Sequence, residues 1–413
     1  MASRDTIVLK KTSRLRVFAV QSPTTNLSNM RPRLLTLTAL LIGPLVPTFA
    51  AEPVWKKHTV CEDKGRMITT ATAGDYSGDG KADVITSYSG QVSLFTAPDW
   101  KETLIRSLPG PGRGQCIHSE SFDVDGDGDL DWLGSLASGK PFWLENPGKT
   151  TAIPWTSRLI DPDLRGIHCF LKADVDKDGR MDLIINNFQP EGPLSNSIAW
   201  FSIPKNLKEA PHWDRHVFAK EDAGGGSHYF GFGDLDGDGW SEITVGAKGK
   251  PFENGNWFAY WKNPGAEKVK QAWSRVTVAE NEAGATNILP GDLNGDGNPD
   301  LLASNGHGLG VFWFQAPNWK KNLIDDEMSS PHSLALADLD QDGDLDAASC
   351  GFKSERLSIY LNDGKGQFKR HDLDTAQQSY DLRTFDMDGD GDLDLLNAGR
   401  ATKNVAWYEN PLR

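Results

Sequence analysis

DVDGDGDLD occupies residues 123–131, and reading it decides the fold. Oxygen-bearing side chains stand at positions 1, 3, 5 and 9, with glycine at position 6. The pattern recurs as DYSGDGKAD (75–83), DVDKDGRMD (174–182), DLDGDGWSE (234–242), DLNGDGNPD (292–300), DLDQDGDLD (338–346) and DMDGDGDLD (386–394). Successive copies start 48, 51, 60, 58, 46 and 48 residues apart. A recurring unit of roughly 40–60 residues marks a propeller or another repeat array. Carboxylates alternating along a tight loop supply the roughly six to eight oxygens that a hard cation such as calcium takes. Glycine permits the sharp turn.

The expected ligands are Asp75, Ser77, Asp79 and Asp83 in the first loop and Asp123, Asp125, Asp127 and Asp131 in the second. Asp174, Asp176, Asp178 and Asp182 follow, then Asp234, Asp236, Asp238 and Glu242, then Asp292, Asn294, Asp296 and Asp300. The last two sets are Asp338, Asp340, Asp342 and Asp346, and Asp386, Asp388, Asp390 and Asp394. Up to seven structural calcium ions are expected. An EF-hand would need a bidentate Glu at position 12. That position holds Thr86, Gly134, Ile185, Val245, Ala303, Ser349 and Asn397, so the EF-hand is excluded.

Apolar, strand-like residues follow each loop, as in DLIIN from Asp182 and EITVG from Glu242. Short apolar runs precede the loops: FLKA (170–173), FGFG (230–233), LALA (334–337). An aromatic strand ending in Asn-Pro or a relative comes next, as in FWLENP (142–147), AYWKNP (259–264) and AWYENP (406–411). A strand usually opened by tryptophan completes the unit: WKETLI (100–105), WTSRLI (155–160), WDRHVF (213–218), WSRVTV (273–278), WKKNLI (319–324). Four short β-rich strands separated by Gly, Pro and Asn turns make one blade. Tryptophans repeated in register (Trp100, Trp155, Trp213, Trp273, Trp319) point to packing between blades.

The chain ends after a third strand, and WKKHTV (55–60) near the start has the fourth-strand pattern. The expected fold is therefore an all-β, seven-bladed propeller of four-stranded blades, its ring closed by the N-terminal strand so that no seam stays unpaired. The repeats spread evenly over 51–413, which argues for one domain. Residues 1–50 differ: MRPRLLTLTALLIGPLVPTFA from Met30 has the arginines, apolar core and small-residue end of a signal peptide, with Met30 as start and cleavage after Ala50. Pro44 and Pro47 interrupt the run and argue against a membrane anchor, so no membrane span is expected in the mature chain and the protein is expected to be secreted or periplasmic. The chain carries a net charge of −14; without residues 1–50 the balance is 36 basic against 56 acidic residues, about −20. The loops hold 29 of those acids, so the acidity belongs mainly to metal sites, and nucleic acid is not an expected partner. Cys61, Cys116, Cys169 and Cys350 permit three disulfide pairings, with Cys116 and Cys169 in adjacent blades; buried free thiols are the alternative.

Six residues before each first Asp stand Thr69, Ile117, His168, His228, Thr286, His332 and Tyr380, with His118 one step off. A single histidine at a strand end is ordinarily a hydrogen-bonded edge residue. Four near the start of axial strands suggest either a transition-metal site assembled across blades or a general base. Arg66, Arg113 and Arg165 enter the same mouth on three successive blades, where arginine suits carboxylates and sugar oxygens. The plainer reading of all three is a solvated loop residue. Tyr229 and Tyr380 are candidates for a phenolic acid or base, or for stacking on a ligand.

These repeats resemble the FG-GAP/VCBS type, the calcium-loop blade of integrin α-subunit propellers and of many exported bacterial proteins, over nearly all of the mature chain. The resemblance implies a propeller with structural calcium and leaves activity open, because the fold hosts adhesion modules, lectin-like binders and lyases. The histidine-bearing strand starts also resemble the propeller domain of aldos-2-ulose dehydratases and, more distantly, propeller polysaccharide lyases. Two functions are carried forward. One is a secreted, calcium-stabilised propeller whose mouth binds a carbohydrate or other polar ligand and catalyses sugar dehydration or β-elimination. There His168, His228 and Tyr229 would move protons, and Arg66, Arg113, Arg165, His118, His332 and Tyr380 would hold the ligand. The alternative is a non-catalytic adhesion or ligand-binding module for a protein or glycan partner.

Overall fold

The computed structural model describes residues 54–108, 116–136, 138–148 and 153–412. The leader over 1–50, its start at Met30, the cleavage point after Ala50, and Arg113 lie outside the described residues. The blades belong to one compact unit, Glu52–Arg413. Every element described is a strand, and the strands form seven antiparallel four-stranded sheets. No helix long and apolar enough to cross a membrane occurs among the described residues.

The innermost strands of blades 1 to 7 are Ala71–Gly74, Glu120–Phe122, Phe170–Ala173, Ser227–Gly233, Asn287–Gly291, Pro331–Ala337 and Asp381–Phe385. Each lies against the next, and that of blade 7 lies against that of blade 1, which closes the ring. The seam is covalently open but paired. Lys56–Cys61 runs antiparallel to Asn404–Glu409, with Lys57 opposite Tyr408. Lys57 Nζ reaches Asp374 of blade 6 at 2.7 Å, and His58 stacks on Trp407 with ring centres 4.1 Å apart.

Second strands begin at the ninth residue of each motif, from Asp83–Tyr88 to Asp394–Gly399, and are buried throughout. Both faces are apolar because each sheet is sandwiched between its two neighbours. The repeated tryptophans divide into two groups. Trp155, Trp213 and Trp273 are buried and join cores that span blades 1–2, 2–3 and 3–4, and their backbone N–H groups donate back to the carbonyls of Ile105, Ile160 and Phe218 of the preceding blade. Trp100 and Trp319 adopt positive φ (51° and 53°) in their turns and are only partly buried.

The asparagine of the Asn-Pro pattern ties neighbouring blades together, a role its position at a strand end did not announce. Asn146, Asn263, Asn362 and Asn410 donate from Nδ2 to the carbonyls of Tyr76, Val175, Leu293 and Leu339, each the second residue of the preceding blade's Asp loop. All four cysteines are buried free thiols, so none of the three disulfide pairings is present.

Candidate metal loops and the axial histidine cluster

The Asp loops are built by their own backbone. The first carboxylate of every loop accepts the N–H of its position-6 glycine, from Gly80 to Asp75 at 2.8 Å through Gly391 to Asp386 at 3.2 Å. Those glycines all have positive φ, from 84° at Gly80 to 98° at Gly343, a conformation that a side chain would strain. The ninth carboxylate is buried and clamped by two backbone donors. Asp131 accepts from Val124 at 3.0 Å and Asn146 at 2.7 Å, and Asp394 from Met387 at 2.8 Å and Asn410 at 2.7 Å.

The remaining oxygens converge. In the second, third, fourth and sixth loops three carboxylates each offer an oxygen within 4.8 Å of the others: Asp123, Asp125 and Asp127; Asp174, Asp176 and Asp182; Asp234, Asp236 and Glu242; Asp338, Asp340 and Asp346. Asp125 Oδ1 and Asp176 Oδ1 are buried with no hydrogen-bond partner, which a bound cation would supply. Desolvation, followed by the neighbouring loop carboxylates, pushes Asp131 up to about 8 and Asp182 to about 7. Burial likewise lifts Glu242 and Asp394 to about 7 and Asp300 and Asp346 to about 6. Lys208 stands 3.3 Å from Asp125 and Lys270 3.5 Å from Asp176, partial counter-charges at the rim.

The opposite mouth holds the histidines. His168, His228 and His332 are 2%, 0% and 1% exposed and each offers a ring nitrogen within 4.8 Å of the other two. Their ring centres lie 4.1 Å (His168–His228), 5.7 Å (His168–His332) and 5.8 Å (His228–His332) apart. Tyr229 projects among them, its hydroxyl 3.3 Å from His332 Nδ1, and Tyr380 stacks on His332. Burial holds all three imidazoles well below the usual histidine range, so they are neutral at pH 7. Burial raises Tyr229 well above the usual phenol range, so its proton stays on.

His118 belongs to a second layer. Its Nε2 accepts from Arg383 Nη2 at 3.0 Å and lies 3.7 Å from Asp381, while Arg383 also pairs with Asp381 at 3.1 Å. A cavity of about 250 Å³ lined by His118, Glu120, Tyr229 and Arg383 occupies this level of the axis. Arg66 and Arg165 are exposed loop residues. Among the described residues, Lys248 and Arg400 face the histidines, with His307 reaching in from a glycine-flanked turn. Although the residue is exposed overall, its ring reaches inward, and desolvation followed by Lys248, Arg400 and Lys353 holds it down to about 3.

The model of the FG-GAP-like repeat matches residues 123–185, 234–303, 292–349 and 338–396, more than half of the chain. The chain belongs to the FG-GAP-like repeat family. Two solved structures of similar fold are both described as crystal structures of BBS1N in complex with ARL6DN, one soaked with lead and one with mercury. They align at TM-scores of 0.59 and 0.58 with 11% and 10% identity, covering 87% of this chain and 98% of theirs. At that identity the likeness extends to the fold alone. No curated relative matches. Within this FG-GAP-like propeller, the Asp loops are the part common to every blade, whereas the histidines are particular to blades 3, 4 and 6.

Proposed function

We propose that the protein is a calcium-stabilised, exported propeller that acts as a non-catalytic binding module, holding a glycan or protein partner on the face opposite its Asp loops. One observation carries this reading. His168, His228 and Tyr229, the expected proton-moving groups, are buried against one another, while an open cavity on that face is lined by hydrogen-bonding side chains, among them Asp222, whose carboxyl burial raises above its usual range. That cavity, about 420 Å³, lies over blade 4 and is lined by Asn196, Asp222, Asn256, Arg275, Glu280 and Trp257 among others. The Arg275 guanidinium lies 4.2 Å from the centre of the Trp257 ring, and burial holds its pKa below the usual arginine value. Amides, carboxylates and a guanidinium set around an aromatic floor match the hydroxyls and flat faces of a sugar. The BBS1N–ARL6DN complexes support the protein-partner form of the same reading, since a propeller of this fold occurs there with a second protein.

The test combines a glycan array with a turnover panel of uronate polymers and keto-sugars, followed by ultraviolet absorbance, on calcium-loaded protein. Glycan binding that weakens about tenfold or more in Arg275→Ala, about 1.4 kcal/mol, with no unsaturated product, is the expected result. Unsaturated product that disappears in His228→Ala would overturn the module and restore the enzyme.

A further inference from the structure

Nothing in the blade architecture requires the three buried histidines. The equivalent positions in blades 1, 2 and 5 are Thr69, Ile117 and Thr286, and those blades fold alike. The rings are nevertheless held from behind. His228 Nδ1 lies 3.0 Å from the Gly226 carbonyl and His332 Nδ1 2.9 Å from the Tyr380 carbonyl. A carbonyl only accepts, so both rings carry their proton on Nδ1 and turn the Nε2 lone pair inward. A backbone acceptor behind the ring is how metal-ligating imidazoles are oriented.

In front of the rings, partners are missing. His332 Nε2 and both ring nitrogens of His168 are buried without a hydrogen bond. Each such atom costs about 1–3 kcal/mol if it stays unpaired. Zinc held tetrahedrally by nitrogens at ~2.0–2.1 Å sets those nitrogens roughly 3.4 Å apart. The observed spread, within 4.8 Å, closes to that with small ring rotations.

We infer that His168, His228 and His332 form a three-nitrogen site for a divalent transition-metal cation of the zinc class, on the propeller axis and separate from the Asp loops. Imidazole suits zinc, copper and nickel, whereas the all-oxygen loops suit calcium, so the two site types sort metals by donor chemistry. His307 is placed as the fourth ligand. Its Nε2 is 2.8 Å from His228 Nε2, and its ring centre 5.2 Å from that of His332. It is also the member of the group that meets solvent, which gives the ion a way in. Lys248, over the rings of Phe188 and Phe252 at 5.7 and 5.9 Å, and Arg400, over Tyr380 at 4.5 Å, flank this side. Their charge opposes a bare dication and favours an anion bound beside the ion.

Cobalt(II) titrated into the full chain, with calcium saturating the loops, provides the probe, because its ligand-field spectrum separates tetrahedral nitrogen from octahedral oxygen coordination. The expected result is one equivalent of cobalt with intense tetrahedral bands, displaced by zinc and unaffected by further calcium. Affinity falls about a hundredfold or more in His168→Gln and His332→Gln, and is kept in His118→Gln. His307→Ala shifts the bands and weakens binding about tenfold. Thermal midpoints in calcium establish that each variant folds. Weak octahedral bands alone in the unmutated protein, or an unchanged spectrum in folded His168→Gln, would overturn the site; the unmutated spectrum decides even where a variant does not fold.

Discussion

Chelation is expected to lower the thermal midpoint of the purified protein by about 10 °C or more. Occupancy at a hundredfold over Kd contributes about 2.7 kcal/mol per site, and seven loops share the pattern. The fall should also depend on pH in a definite direction. In the cation-free protein the carboxyls of Asp131, Asp182, Glu242 and Asp394 are raised to about 7 or 8, chiefly by burial. A carboxyl whose folded pKa exceeds its unfolded value contributes stability that is fully present below the unfolded pKa, near 4. That contribution is lost as pH rises through the folded value. The chelated protein is therefore expected to lose stability between about pH 4 and pH 8, where the unfolded chain has released protons that the folded loops retain. Calcium competes with those protons and should flatten or reverse the trend. Differential scanning at pH 5 and pH 8, with calcium or with chelator, reads both effects. Midpoints that coincide with and without calcium at pH 8 would contradict the expectation.

A chain beginning at Glu62 is expected to unfold less cooperatively and to self-associate more than the full chain. It lacks Lys56–Cys61, the strand that fills the outer position of blade 7. The loss exposes the edge of Asn404–Glu409 along its full length and strips Val60 and Cys61 from the core shared by blades 7 and 1. Lys57 and His58 also leave, and with them the contacts to Asp374 and Glu409. An unpaired flat edge invites strand addition by another copy. Size-exclusion chromatography should show oligomers or aggregate, and thermal unfolding should broaden. A monomer with an unchanged midpoint would mean that the ring does not depend on its seam.

Much of this was legible in advance, for reasons that separate one residue from another. The blade count and the closure follow from a period that recurs seven times and from a fourth-strand pattern displaced to the chain start. His168, His228 and His332 were found by counting back from the Asp loops, because strand starts in equivalent blades must reach the same mouth. His118, one step off that register, indeed lies in another layer with Arg383. Of the expected cations, Arg66 and Arg165 are exposed and Arg113 lies outside the described residues. Arg66, Arg113 and Arg165 precede inner strands, whereas Lys248, Lys353 and Arg400 follow second strands. Antiparallel pairing brings the end of a second strand beside the start of the first, so those loops reach the same mouth, and the signal was present. His307 carried the same signal: it sits in the turn after the second strand of blade 5, fifteen residues past Asp292 as Lys353 is past Asp338. The Asn-Pro asparagines were visible as a repeat, but their bonds to the preceding blade depend on how blades stack, which no local pattern encodes.

Equilibrium dialysis of the chelated and reloaded protein against calcium, at neutral pH, tests the central claim that the Asp loops hold the ring together as metal sites. The account predicts a stoichiometry approaching seven ions per chain, reduced by one in Asp125→Asn, whose buried oxygen has no other partner. Binding of one ion or none, with the blades still folded, would contradict it.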